Sequence, residues 1–257
     1  LYKIKNKAIF YLAYIALALL LTILWLLLPS LSLVIFFIIA SYHFGKEDCQ
    51  ITDWSEYVDK IFDNIHFESK KDWEPIFYLI KGSIIIIAPL SFHFEETINI
   101  FKILFVDNAD FLDTLMFFDE KGIFVIALWI VFFISLSFFI ETTCIIALNI
   151  FLSPLVAFTV YFCFLHSIRH SVSLIKEIEA HIVEKEYKEQ FRKTNIEISM
   201  NGIKIFLRKA LPLTLITAIL FVVSVFILTN YYGLDDAILK VIFIGLASLT
   251  FPHILLE

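Results

Sequence analysis

Two histidines, His166 and His170, are the residues of this sequence whose type and spacing most directly suggest chemistry. They close the stretch Tyr161-Phe-Cys-Phe-Leu-His166-Ser-Ile-Arg-His170, at the end of an apolar run. Positions i and i+4 lie on one face of a helix, about 6 Å apart, so both rings can reach one metal ion. Ionisable side chains inside a membrane span are rare and indicate function. The pair therefore predicts a metal site at or within a bilayer, and imidazole suits zinc, copper and iron alike.

The composition is that of an integral membrane protein. Of the 257 residues, 60% are hydrophobic and 18% are charged, which leaves too little polar surface to cover a soluble globule. The formal net charge of −6 and the absence of a basic patch argue against nucleic acid as a partner. The cysteines are odd in number, and Cys144 and Cys163 lie in apolar runs, so we expect no disulfide framework.

Apolar runs of the length that a bilayer requires divide the chain into about seven predicted transmembrane helices. Together they predict an all-α, polytopic membrane helix bundle that forms a single domain over residues 1–257, placed as a multi-pass protein in the cell membrane. The predicted spans are 8–28, 31–42 with its polar end 43–48, 75–94, 122–140, 155–180, 212–229 and 235–257.

The segments between the predicted spans are polar or amphipathic. We expect helices on the membrane surface at about 49–74 and 97–119, and a charged solvent-facing segment at about 177–201. Lysines cluster before the first span and again in 176–209. In a simple up-and-down arrangement these clusters fall on opposite faces, so the positive-inside rule leaves the orientation undecided.

Further histidines can approach the pair. At about 1.5 Å of rise per residue, His43 lies roughly 18 Å into the second span and His166 roughly 17 Å into the fifth. Because these spans enter from opposite faces, both rings fall near the middle of the bilayer. His93 and His253 approach the side on which His170 lies, but a lone membrane histidine is more often a hydrogen-bonded side chain than a ligand. A buried pair that bound nothing would carry a desolvation cost, which makes His166 and His170 the stronger candidates.

Polar residues near these histidines are candidates to surround the ligands and orient them. Glu141, at the end of the fourth span, is equally well explained as a side chain that reaches the headgroups. The candidates for this surrounding role are Asp48, His93, Glu141 and Arg169.

Four stretches of the chain resemble the Brp/Blh-type bacterial and archaeal β-carotene 15,15'-dioxygenases, which are integral membrane proteins that form retinal. Each stretch is short, and their specificity comes from their order and from their positions on membrane spans. The stretches are Ser41-Tyr-His43-Phe-Gly-Lys-Glu-Asp48, Gly82 to Pro89-Leu-Ser-Phe-His93, Tyr161 to His170, and Thr250-Phe-Pro-His253.

The resemblance implies an enzyme that cleaves the central double bond of β-carotene with dioxygen at a ferrous ion, Fe(2+), and so forms two retinals. His43, His166 and His170 would be iron ligands. The family supplies another histidine from an N-terminal Pro-His-Gly segment that this sequence lacks, so we expect that a segment before Leu1 is missing or that His253 takes its place. The bilayer would deliver β-carotene, and a retinal-binding opsin is a candidate acceptor of the product.

Two other functions stay open on the residues alone. Asp236 and Lys240, at i and i+4 on the last helix, would suit a retinal-binding seven-helix protein without enzymatic activity. Lys240 is only a turn into its span, however, where an interfacial ion pair is expected. A di-iron desaturase or hydroxylase of the membrane would need more histidines than the seven of this chain.

Overall fold

Helices make up nearly all of the part of the chain that the structure, a computed structural model, describes: residues 7–135, without 51–69, and residues 138–256, without 187–199. No strand occurs in those ranges, and the all-α prediction is confirmed. Most of the predicted segments 49–74 and 177–201 lie outside them. In chain order the helices are α1 Lys7–Leu27, α2 Pro29–Gln50, α3 Lys70–Gly82, α4 Ile84–Phe92, α5 Phe94–Ile103, α6 Ala109–Glu120, α7 Ile123–Ile134, α8 Phe139–Phe151, α9 Pro154–Val160, a π-helical turn Tyr161–His166, α10 Ser167–Glu186, α11 Met200–Leu228 and α12 Leu234–Leu256.

Several of these helices are long and apolar enough to cross a membrane. Within the described ranges, four stretches meet both conditions: Pro29–Cys49, Trp73–Phe92, Pro154–Lys176 and Gly202–Leu228. Shorter apolar helices cover Leu12–Leu27, Ile123–Ile134 and Phe139–Phe151. The polytopic membrane architecture is therefore confirmed, whereas the predicted number of seven spans is not.

Helices α2 and α3 form the most extensive helix contact in the described part of the chain. Two glycines allow their backbones to meet: a Cβ on Gly45 would lie 1.9 Å from the carbonyl oxygen of Tyr78, and one on Gly82 would lie 1.8 Å from that of Ser41. Small residues permit such close approach between membrane helices. The contact sets the polar end of α2 against Lys81 of α3.

The predicted fourth span, 122–140, is wrong, because two helices occupy it. Helix α7 ends at Ile134, the N–H of the next residue, Ser135, bonds to the carbonyl of Val131 at 2.9 Å, and α8 begins at Phe139. The break places Glu141 in the first turn of α8, where the helix dipole favours an acid and where Lys81 is within reach. Each helix is about 18 to 20 Å long at 1.5 Å per residue, which is shorter than the hydrocarbon core of about 30 Å.

The helix that contains the predicted sixth span begins before Pro212. Helix α11 begins at Met200 and continues through Pro212 to Leu228. A proline removes one helical hydrogen bond, and membrane helices tolerate that loss. Leu215, Ile219 and Phe226 are exposed on this helix, as expected for side chains that face lipid.

Two apolar clusters hold the helices together. One is built around Trp25 of α1, which is fully buried and donates from Nε1 to the carbonyl of Leu104 at 3.0 Å. The other lies next to the polar end of α2 and joins α2, α4, α7, α8 and the π-helical turn; its buried members are Ala40, Phe44, Ile84, Ile85, Ala88, Leu128, Val131, Ile145 and Tyr161.

Candidate metal centre

Three histidine rings converge where α2 meets the π-helical turn and α10. The ring centroids of His43 and His166 are 5.4 Å apart, and the centroid of His170 is 6.3 Å from each of them. The planes of His166 and His170 differ by only 6°, as expected for stacked positions at i and i+4. His43 and His166 are 8% and 5% exposed. The structure thus brings together the three histidines that the sequence pointed to.

The π-helical turn Tyr161–His166 determines where His166 points. The N–H of Ser167 bonds to the carbonyl of Phe162, five residues back, which widens the helix. In a regular α-helix, residues five apart lie about 140° apart around the axis. In this wider turn Tyr161 and His166 are both buried, with ring centroids 6.2 Å apart. Such turns are often found at functional sites, and no pattern in the sequence predicted this one.

One nitrogen of the cluster lacks a partner. Nδ1 of His166 is buried without a hydrogen bond. The ring is enclosed by Phe44, Phe162 and Tyr161, at centroid distances of 4.6, 5.6 and 6.2 Å. A buried polar atom left unsatisfied is costly, and an ion is one of the few things that explain it. This atom is the observation by which the site fits a metal.

The three imidazole rings lie slightly farther apart than they would around one bound metal ion. Among the residues that the structure describes, no three His, Cys, Asp or Glu side chains form a closed metal-binding arrangement. Three imidazoles sharing one ion at about 2.1 Å from each nitrogen would have centroids about 5 Å apart. His43 and His166 meet this spacing, and His170 lies about 1 Å too far out. The donor set suits a metal ion, and His170 is the ring that must move inward.

Glu47 orients His170. Its Oε2 lies 3.3 Å from Nδ1 of His170, and the residue is 7% exposed. Because an ionised carboxylate can only accept, Nδ1 donates and the ring keeps its lone pair on Nε2. Carboxylates commonly hold metal-binding histidines in this way. Glu47 was not among the residues predicted from the sequence, although its position four residues after His43 places both on one face of α2.

A closed ring of alternating charges lies beside the histidines, and we call it the charge ring. It joins α2, α3, α8 and α10 through Asp48, Lys81, Glu141 and Arg169. Lys81 Nζ is 2.9 Å from Glu141 Oε1 and 3.5 Å from Asp48 Oδ2. Arg169 completes the ring, with Nη1 3.1 Å from Asp48 Oδ1 and Nη2 2.7 Å from Glu141 Oε2. Tyr161 adds a hydrogen bond from its hydroxyl to Asp48 Oδ2 at 3.0 Å.

The charge ring fixes the helices that carry the histidines. Arg169 lies between His166 and His170 in the chain, and Asp48 follows His43 by five residues. Buried charges are tolerated only when they are paired, so two carboxylates and two cations hold these helices in one register. Three of the four members were candidates from the sequence. Lys81 was not among these candidates, although a lysine in the middle of a span is itself a functional signal.

The remaining histidine candidates take other places. Nε2 of His93 lies 2.7 Å from the carbonyl oxygen of Asn149, and its Nδ1 lies 4.0 Å from Glu96, so its hydrogen bonding is not with the three rings. The side chain of His253, on α12, is outside the described residues. Its role as a fourth ligand stays a prediction.

Lys240 does not form the ion pair with Asp236 that the sequence suggested. In the described part of the chain its ammonium donates to the carbonyl of Ile103 instead, at the C-terminus of α5. It also lies over the rings of Phe105 and Tyr232, 4.1 and 4.7 Å from their centroids. Carbonyl groups at a helix C-terminus attract cations, which accounts for the inward path of this side chain.

The helices and the histidine cluster define a polytopic membrane protein with a buried candidate metal centre. The chain matches the family model for β-carotene 15,15'-dioxygenase over residues 1–257, and it therefore belongs to that family. A β-carotene 15,15'-dioxygenase of uncultured marine bacterium 66A03 is 26% identical over 258 residues, an alignment that covers 99% of this chain and 81% of the relative. No solved structure matches the chain. The resemblance drawn from four short stretches is thus confirmed, whereas an opsin partner gains no support.

Proposed function

We propose that this protein cleaves the central double bond of β-carotene with dioxygen, giving two retinals, at a ferrous ion held by His43, His166 and His170. The observation that carries the proposal is the unpartnered His166 nitrogen inside a cluster of three imidazoles. Family membership supports the substrate and the reaction. In this reaction the central carbon–carbon double bond breaks, and each of its two carbons gains one oxygen atom of O₂.

The choice of metal rests on the chemistry of the reaction. Imidazole ligands bind iron, copper and zinc, but zinc has no redox chemistry. Bound at these histidines, ferrous iron supplies the activation of dioxygen that oxidative cleavage requires. We keep His253 as the candidate for a fourth ligand within this sequence.

The protein's own residues prepare this site. Glu47 accepts the hydrogen bond from His170 and so holds the ring nitrogen Nε2 ready to bind an ion. Phe44 and Phe162 pack around His166 and exclude water from its ring. The charge ring holds α2 and α10 in place, so two of the helices that carry the ligands are positioned before an ion binds.

The substrate reaches the protein through the membrane. β-Carotene is a hydrocarbon that dissolves in the bilayer, and the helices that are long and apolar enough to cross a membrane support a multi-pass protein of the cell membrane. Entry between helices is therefore the expected route. The 29 phenylalanines suit a lipid-facing surface as well as a substrate channel, so we assign no substrate-binding residues.

Expression in bacteria that accumulate β-carotene tests the proposal. We expect the orange colour to fade and retinal to appear in chromatograms of the extracted pigments. His166→Gln should abolish retinal formation, and the matched variant His93→Gln, whose ring lies elsewhere, should retain it. Retinal formation that persists in His166→Gln would contradict the proposed metal centre. Unchanged β-carotene in cells that hold the iron-loaded protein in their membranes would contradict the proposed reaction.

A further inference from the structure

We infer that α7 and α8 form a re-entrant hairpin that enters and leaves the membrane on one face, and that the opposite, basic face of the protein is cytoplasmic. The inference rests on the helix contacts and the charge distribution, and is independent of the proposed reaction. The sequence had left the orientation undecided because a crossing was assumed over 122–140.

The contacts along α3 and α4 trace the hairpin. Near the start of α7, Phe124 stacks on Phe94, with ring centroids 6.0 Å apart. At the other end of the hairpin, Phe138 lies beneath the ammonium of Lys81, whose Nζ is 4.3 Å from the ring centroid. Helix α7 therefore runs antiparallel to α4 and ends near the middle of the span Trp73–Phe92.

Helix α8 then returns along the same path. Glu141, in its first turn, binds Lys81, and Ile145 joins the cluster that contains Ile85. The carbonyl of Asn149 reaches His93, at the end of α4 from which α7 set out. The segments before α7 and after α8 are thus at the same end of α4.

The described residues on either side of the hairpin's tip are buried in protein. Ser135 and Phe138 are 1% and 6% exposed. Non-helical backbone at membrane depth is tolerated only where protein or water surrounds it, and these residues meet that condition. Two helices of about 18 to 20 Å cannot each cross a core of about 30 Å, but together they can enter it and leave again.

A hairpin in place of a crossing brings the basic residues to one face. With one crossing fewer, the end of α2, the start of α3, the end of the span Pro154–Lys176 and the start of α11 share a face, which we call the basic face. The described basic residues near these ends include Lys46, Lys70, Lys176, Lys204 and Arg208.

The opposite face, which we call the acidic face, has fewer exposed basic residues than acidic ones in the described part of the chain. It carries α5, α6 and the turn between α11 and α12, and Lys102 and Lys121 are its exposed basic residues in the described part of the chain. Its exposed acids are Glu95, Glu96, Asp107, Asp110, Asp113, Asp119, Glu120 and Asp235. Lysine and arginine are enriched on the cytoplasmic side, where the leaflet is anionic. The basic face is therefore the cytoplasmic one, and the three histidines lie towards it.

Labelling of single introduced cysteines with a membrane-impermeant maleimide tests both parts of the inference. The full chain is expressed in bacteria, and each variant is compared with the unaltered protein, which sets the background from Cys49, Cys144 and Cys163. Glu120→Cys precedes the hairpin and Ser153→Cys follows it. Lys204→Cys marks the basic face, and Tyr231→Cys, 78% exposed in the unaltered protein, marks the acidic face.

We expect Glu120→Cys, Ser153→Cys and Tyr231→Cys to react in spheroplasts, and Lys204→Cys to react only after permeabilisation. Glu120→Cys and Ser153→Cys on opposite faces would overturn the hairpin. Lys204→Cys reacting in intact spheroplasts would overturn the orientation. If Ser153→Cys does not accumulate in the membrane, Phe151→Cys, 81% exposed in the unaltered protein, reports the same position.

Discussion

Glu47 shows how one carboxylate can control the candidate metal centre. Its hydrogen bond to Nδ1 of His170 orients the ring that must move inward for the site to close. We expect Glu47→Gln to lower iron affinity about 10- to 100-fold, because residues that orient metal-binding histidines have effects of that size. Titration of the metal-free protein with ferrous iron measures it. Glu96→Gln, at an exposed carboxylate beside His93, is the matched control and should bind iron as the unaltered protein does. If Glu47→Gln bound ferrous iron as tightly as the unaltered protein, the proposed role of Glu47 in orienting His170 would be contradicted.

Of the two cations in the charge ring, Lys81 is the one whose loss should lower the free energy of unfolding more. It is 3% exposed and contacts both carboxylates of the charge ring. Lys81→Met keeps the length of the side chain but leaves Asp48 and Glu141 with Arg169 alone, and breaking a buried pair costs about 3 to 5 kcal/mol. Thermal unfolding in detergent should show a lower midpoint.

Removal of a carboxylate together with Lys81 provides the control. The double variant Lys81→Met with Glu141→Gln leaves one carboxylate, Asp48, and one cation, Arg169, in the charge ring. It should therefore be more stable than Lys81→Met alone. A double variant with a lower midpoint than the single variant would show that the ring does not act as a balanced set of charges. Lys102→Met, at an exposed lysine, should leave the midpoint unchanged.

Helices α2 and α3 can approach each other closely only because Gly45 has no side chain. Gly45→Ala would place a methyl group 1.9 Å from the carbonyl oxygen of Tyr78, so the backbones must move apart. Overpacking of this kind costs about 1 to 3 kcal/mol. Because α2 carries His43 and α3 carries Lys81, we also expect weaker iron binding. Unfolding midpoints and iron titration measure the two effects.

Gly245→Ala is the matched control for this prediction. It lies within α12, and a Cβ there would meet no atom within 4 Å. Alanine has the higher helix propensity, so the variant should be as stable as the unaltered protein or slightly more stable. Equal stability of Gly45→Ala and Gly245→Ala would contradict the close helix contact.

At the scale of the molecule, large apolar side chains are exposed along many of the described helices, and α11 is the clearest example. Leu215 lies near the middle of the span Gly202–Leu228 and is 55% exposed. An arginine at the centre of a membrane helix costs about 2.5 to 3.5 kcal/mol on insertion. Leu215→Arg should therefore reduce the amount of protein recovered in washed membranes. Tyr231→Arg, in the turn after α11, should not, and equal recovery of both would argue against a lipid-facing α11.

Sequence patterns predicted the parts of this molecule that depend on local chemistry. Long apolar runs gave the helical membrane architecture, and spacing at i and i+4 gave the stacked rings of His166 and His170. The number of spans was not predictable in this way, because the run over 122–140 contains no charged residue and is interrupted only by Ser135 and Ser137. Its break lies next to the contact between Glu141 and Lys81, which joins two distant parts of the chain. Spacing along α2 places Glu47 on the face of His43, but it does not show that Glu47 contacts His170 on another helix. No spacing rule predicts the π-helical turn Tyr161–His166.

Iron content of the purified protein tests the central claim most directly. The account predicts a single iron ion per chain in the unaltered protein and in His93→Gln, measured by mass spectrometry of the metal against protein concentration. His166→Gln removes the ring with the unpartnered nitrogen and should lose the ion. Iron content that is unchanged in His166→Gln, or two iron ions per chain in the unaltered protein, would contradict the three-histidine centre.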